Sequence, residues 1–219
     1  MNAVITADIV DYTKLTKEGE EMVLQAIHKM YADKKSVRTN LGGNLSIKRG
    51  DSIQIELKNP SEALESALLL KTTVNKISLS SKSKTKPDID IRIAIGIGTI
   101  HSKRDSVNES TGDAYTFSGR TLDAMKKQKR TIAIKTANEK LNAELDTELA
   151  LLEEIMFKWT VNSAEVLYWK LLGLNEYGVS QQLKISQPAI NHRKKHAGWN
   201  GIEILLERFE QLMEEEEKE

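Results

Sequence analysis

Asp88-Ile89-Asp90-Ile91-Arg92-Ile93-Ala94-Ile95-Gly96-Ile97 carries isoleucine at every second position, the period of a strand with a buried face. Gly96 permits close backbone approach near its end. Upstream, Ser80 to Pro87 is rich in Ser and Lys and reads as a loop. Before it, Asn59-Pro60-Ser61-Glu62 supplies a cap, a first-turn proline and an acid three residues after the cap. This opens a helix through Ala63, Leu64, Ala67, Leu68 and Val74. Gly42-Gly43 and Arg49-Gly50 bracket one strand, Ile53 and Ile55 mark the next, and Lys48 to Ser52 reads as a tight hairpin turn. The chain opens on a strand ending near Asp8, and Thr16 caps a helix with Met22, Val23, Ile27 and Met30 at helical spacing.

Downstream, a polar loop from His101 to Thr111 leads to a helix from about Asp113 to Lys127 and a short strand at Thr131 to Ile134. The order βαββαβ, then αβ, predicts an α+β sandwich of the split-βαβ, ferredoxin-like type over residues 1–135, with helices on one face of the sheet. Thr136-Ala137-Asn138-Glu139 reads as a capping box, and Leu141, Leu145, Leu149, Leu152 and Ile155 form the stripe of an amphipathic connector over 136–158. The run is short for a coiled dimer seam, so packing within the chain is the expectation.

Residues 159–212 predict an all-α helix-turn-helix domain, and 213–219 a frayed acidic tail. Asn162-Ser163-Ala164-Glu165 is expected to cap its first helix, Gly173 to stop it, a second to begin near Asn175, and Ser186 to cap a third. Val179, Leu183, Ile185 and Ile190 fall where a helix-turn-helix buries its apolar residues. Lys184 stands where glycine usually makes the turn. On the helix after Ser186, Gln187, Asn191 and Lys195 share a face, while Ala189 and Ile190 turn inward. Amides there can read adenine edges, and the run Arg193-Lys194-Lys195 can meet guanine or phosphate. The alternative is that such a bundle serves only to dock protein. His192 and His196, four residues apart, have no Cys to complete a zinc site.

With 219 residues, 39% hydrophobic and 29% charged, the composition is that of a globular protein with room for one core and a small second module. No apolar run approaches the roughly 18 residues of a membrane span, and the opening is a strand rather than a leader pattern, so a cytoplasmic protein is expected. The absence of cysteine excludes disulfides, thiolate metal sites and cysteine nucleophiles. Lys+Arg and Asp+Glu balance at 32 each, so any contact with DNA must come from local charge. One copy would bind weakly, which makes a homodimer attractive.

Asp8 and Asp51 lie in matching β-rich settings. If their strands pair, both carboxylates reach one end of a sheet and can hold Mg²⁺; alternatively both are turn or cap residues. Ala7-Asp8-Ile9-Val10-Asp11-Tyr12-Thr13 resembles the first-strand motif of class III nucleotidyl cyclases, and Gly50-Asp51 resembles their hairpin. The resemblance implies Mg²⁺ or Mn²⁺ held by Asp8, the Ile9 carbonyl and Asp51, and a nucleotide or related phosphorylated ligand beside Glu109 and Lys48. Gly112-Asp113-Ala114-Tyr115-Thr116-Phe117-Ser118-Gly119-Arg120 looks like the helix carrying the transition-state residues, with Arg120 matching and Thr116 standing where the family places asparagine. Ile47, next to Lys48, occupies the position of the adenylyl cyclases' base-selecting lysine. Asp8-Ile9-Val10, Gly50-Asp51-Ser52-Ile53-Gln54 and Ile91 to Gly98 are most similar to SatD-family proteins, over about the first 135 residues. The expectation is a transcriptional regulator with a ligand-binding, weakly active or inactive cyclase-like domain. The alternatives are a working cyclase and a scaffold that binds neither metal nor nucleotide.

Overall fold

The computed structural model describes residues 1–37, 44–48, 50–79, 86–100 and 111–218. Strands β1 (Asn2–Ile9), β2 (Asn44–Lys48), β3 (Ser52–Leu57), β4 (Ile91–Gly98) and β5 (Ile132–Lys135) form one sheet in the order β2-β3-β1-β4-β5. All pairings are antiparallel except β4 with β5, which run parallel. Helices α1 (Lys17–Val37), α2 (Ala63–Asn75) and α3 (Asp113–Gln128) connect strands, and α4 (Glu139–Met156), α5 (Val161–Leu171), α6 (Glu176–Leu183), α7 (Gln187–His196) and α8 (Trp199–Glu216) follow β5.

The sheet is covered on both faces, which corrects the expectation of helices on one. Odd positions of β1 and β4, from Ala3 to Ile9 and Ile91 to Ile97, pack with α1, α2 and α4. Even positions face α3: the Thr6 hydroxyl donates to that of Ser118 at 2.9 Å, and Ala94 packs with Leu122 and Met125. At Gly96 an added Cβ would lie 2.1 Å from the Ala114 carbonyl oxygen. Only a residue without a side chain lets α3 lie this close to β4.

The local capping chemistry explains most helix starts. Thr16 accepts from the Gly19 amide at 3.2 Å, Asn138 from those of Lys140 and Leu141, and Asn175 from that of Gly178 at 2.8 Å. Each satisfies amides that the first helical turn leaves unpaired. Two starts differ from the sequence reading. Asn138, rather than Thr136, caps α4. Thr160 caps α5 by accepting from the Ser163 amide at 3.0 Å, so α5 begins before Asn162. The C-terminal residues also depart from expectation, because α8 continues to Glu216 with Met213 buried. Its amphipathic face, with Ile202, Phe209, Leu212 and Met213 inward, supplies burial that outweighs repulsion among its exposed glutamates.

One apolar core runs from Ala3 to Met213 and includes Trp159, Leu167, Tyr168, Trp199 and Phe209. It therefore crosses the expected boundaries at 135 and 158. Helix α2 is its centre, with every residue but Glu65 buried. A second small core joins Val166, Val179 and Ile190 of α5, α6 and α7 to Leu174, Leu183 and Ile185. Among the described residues, no helix is long and apolar enough to cross a membrane.

Candidate functional site

Strands β1 and β3 pair so that Asp8 stands opposite Ser52, and the Ile9 amide donates to the Asp51 carbonyl at 3.2 Å. Asp8 and Asp51 thus belong to neighbouring strands at one end of the sheet. Between Asp51 and Lys48, which closes β2, the hairpin contains Gly50 at φ 81°. The Tyr12 hydroxyl would lie 2.1 Å from a Cβ at that position, so both backbone and neighbour demand glycine. Partial burial, then the charge and hydrogen bond of Glu20, then the charge of Asp51, raise the Tyr12 phenol above its ordinary pKa.

The carboxylate of Asp8 is already engaged. Arg92, its partner across β4, donates from Nε to Oδ1 at 2.9 Å and from Nη2 to Oδ2 at 3.3 Å. Lys126, on α3, brings its Nζ to 3.2 Å from Oδ2. The Asp8 side chain is 14% exposed, so this forked ion pair is partly shielded from water. Both cations lie on the carboxylate that a divalent cation would need, and Lys126 also lies 3.9 Å from Asp123 Oδ1. Among the described residues, no group of three or more His, Cys, Asp or Glu could hold a metal ion. As arranged, the Asp8 carboxylate is held by Arg92 and Lys126 rather than open to Mg²⁺ or Mn²⁺.

The other residues named from sequence disperse. Helix α3 buries Ala114, Ser118, Leu122 and Met125, while Thr116 and Arg120 lie on its exposed face. Thr116 donates to its own helix, at the Gly112 carbonyl, over 3.2 Å. Glu109 lies outside the described residues. Arg92 and Lys126 were missed by sequence reasoning. The polar position of Arg92 within an apolar strand was visible, but its alignment with Asp8 required knowing that β1 lies beside β4.

In the C-terminal helices, α6 ends at Lys184, whose backbone is left-handed at φ 52°, ψ 41°. Gln187, Asn191 and Lys195 are all exposed on α7. Arg193 and Lys194 instead turn inward: Arg193 Nη1 lies 3.4 Å from Glu165 Oε2 on α5, and Lys194 pairs with Glu176 on α6. The Lys194 bond is the leading cause that lowers the Glu176 pKa. Ser186 precedes α7 without a side-chain capping bond, and the turn relies on Pro188 in the first helical turn. His196 Nδ1 is 3.5 Å from the Ser163 hydroxyl, while His192 is exposed.

Two links fix α5 onto the sheet unit, and a third ties the start of the C-terminal helices to the end of α7. The Tyr168 hydroxyl donates to Asp33 Oδ2 at 2.7 Å. The Lys76 ammonium lies 2.9 Å from the centre of the Tyr168 ring. Trp159 Nε1 donates to the carbonyl of Ala197, the residue that ends α7, at 3.0 Å.

No protein-family model and no curated protein matches the chain. Among solved structures, it is similar over 61% of its length to a bacterial light-regulated adenylyl cyclase, at 13% identity, 74% coverage of that chain and a TM-score of 0.38. It is similar over 63% to the active GGEEF domain of a diguanylate cyclase from Vibrio cholerae, at 14% identity, 83% coverage and a TM-score of 0.42. Over 56% it is similar to the guanylyl cyclase Cya2, at 14% identity, 69% coverage and a TM-score of 0.37. Likenesses this distant say nothing of the chemistry of this chain.

Proposed function

We propose that the chain is a DNA-binding regulator whose α/β unit, built on the plan of a nucleotidyl cyclase, does not turn over nucleotides. The observation that carries the DNA reading is the outer face of α7, where Gln187, Asn191 and Lys195 are all exposed while Ile190 is buried against α5 and α6. Glutamine and asparagine offer paired donors and acceptors that match adenine in the major groove. From Asn175 to Asn200 there are four Lys or Arg against one Glu, a local excess of positive charge in a chain that is neutral overall. Arg193 and Lys194 hold α7 in place through their acidic partners, which leaves Lys195 as the phosphate contact on this face. Two copies on a palindromic site would gain affinity from effective concentration.

The non-catalytic reading is supported by the grip of Arg92 and Lys126 on Asp8 and by the outward position of Thr116 and Arg120. Addition of Mg²⁺ or Mn²⁺ is expected to leave the melting temperature unchanged. Formation of a cyclic product from any nucleoside triphosphate, lost in Asp8→Ala, would sink this part of the proposal.

Binding to genomic DNA fragments, followed by fluorescence anisotropy over a salt series, tests the DNA reading. Gln187→Ala is expected to weaken specific binding by roughly 1–3 kcal/mol. Lys195→Ala is expected to weaken all sequences alike and reduce the salt slope by about one. If both variants bind as the parent does, α7 is not the reading element.

A further inference from the structure

We propose that a cavity at the Asp8 end of the sheet, on the opposite face from α3, binds a small organic anion with a flat apolar body. The cavity, about 370 Å³, is lined by Lys71 of α2, Asp90 before β4, Lys86, Lys129 after α3, Phe157 and Trp159. Its volume lies within the roughly 300–1,000 Å³ typical of small-molecule sites. It is separate from the Asp8 cluster, whose Lys126 does not line it.

Lys71 gives the site its built-in cation. Its side chain is only 5% exposed, and its ammonium donates to Asp90 Oδ1 at 2.6 Å and to the Ile91 carbonyl at 3.1 Å. An ammonium has three protons, so one remains for an occupant. Asp90 balances the charge of Lys71, and its Oδ1 is filled, since it also accepts from Asn75 Nδ2 and the Ile91 amide. Glu153, a further acid in the wall, is taken up by Arg130 and by the Thr131 and Ile132 amides. Lys86, Lys129 and Glu154 have no ion-pair partner among the described residues. Two free lysines against one free acid leave a net positive rim, which selects an anion.

The apolar part of the ligand follows from Phe157. The residue is 75% exposed, and Lys86 Nζ lies 5.3 Å from the centre of its ring. An aromatic ring beside an ammonium presents a flat body and a charged head with complementary surfaces at once. Trp159 lines the cavity while remaining 1% exposed, and so provides an internal optical reporter. The site does not depend on whether α7 meets DNA.

The test uses the full chain with two probes, benzoate and phenyl phosphate, which share a ring and differ in carrying a carboxylate or a phosphoryl head. At ten times the dissociation constant, a binding probe raises the melting temperature by about 3–6 °C and alters tryptophan emission. Lys129→Glu and Phe157→Ala, both at the exposed rim, are each expected to weaken binding roughly tenfold. Lys71→Met should abolish it; if that variant does not fold, the rim variants decide. Lys126→Ala, which removes a partner of Asp8 and Asp123 outside the cavity, leaves binding intact. Failure of both probes to shift the parent chain overturns the proposal, as does unchanged binding in both rim variants.

Discussion

Lys184 holds a left-handed backbone conformation that disfavours any residue with a Cβ. Lys184→Gly is therefore expected to raise stability by about 1 kcal/mol or less, since glycine's gain in the folded turn is offset by its freedom when unfolded. Urea titration measures it. Lys76 yields a second expectation. Burial, then the nearby charge of Lys29, push its pKa down from 10.5 to about 7, against the opposing pull of Asp33 and Glu165. Between pH 7 and about 10 the unfolded chain binds more protons at this residue than the folded one, so its contribution to stability rises with pH across that window. Below pH 7 both states are charged and the burial cost stands in full. Thermal melts should show the rise in the parent chain and its loss in Lys76→Met. At this scale the sequence was half legible. Asp8 stood out as an acid at a strand end, and Lys184 as a non-glycine in a turn. The partners Arg92, Lys126, Asp33 and Tyr168 were hidden, because each contact joins residues far apart in sequence.

At the scale of elements, α3 rests on β4 because Gly96 and Gly98 leave room for its backbone. Gly96→Ala would drive a methyl group into the Ala114 carbonyl and the Ser118 amide, and is expected to cost about 3 kcal/mol or more. Circular dichroism during denaturation checks this, and Gly119→Ala, which meets nothing within 4 Å, serves as the comparison. The isoleucine alternation made β4 plain, and polar side chains at helix starts marked α1, α4 and α6. The face covered by α3 was not legible, since alternation identifies two faces without saying what lies over each. Helix α2 did carry a sign of its surroundings. Leu68, Leu69 and Leu70 run consecutively around its axis, which no one-sided helix requires. The extent of α8 was obscured by its glutamates, whose charge suggested a solvated tail although Leu212 and Met213 keep the helical apolar stripe going.

For the molecule as a whole, composition and pattern indicated a mixed α and β chain with helices at its C-terminal end, and they also suggested separable parts. The continuous core argues for a single cooperative unit instead. Denaturation followed by tryptophan emission and by far-ultraviolet dichroism is expected to give coincident transitions. Distinct midpoints would mean that the C-terminal helices melt by themselves. Because α2 is enclosed on nearly every side, it acts as a party wall between two rooms. A fragment stopping at residue 135 would leave that wall's leucines facing water, and is expected to aggregate rather than survive as an isolated sensor. For the same reason, chimeras that graft another reading head onto this chain would have to carry over the α2-facing surfaces of α5 and α8 as well.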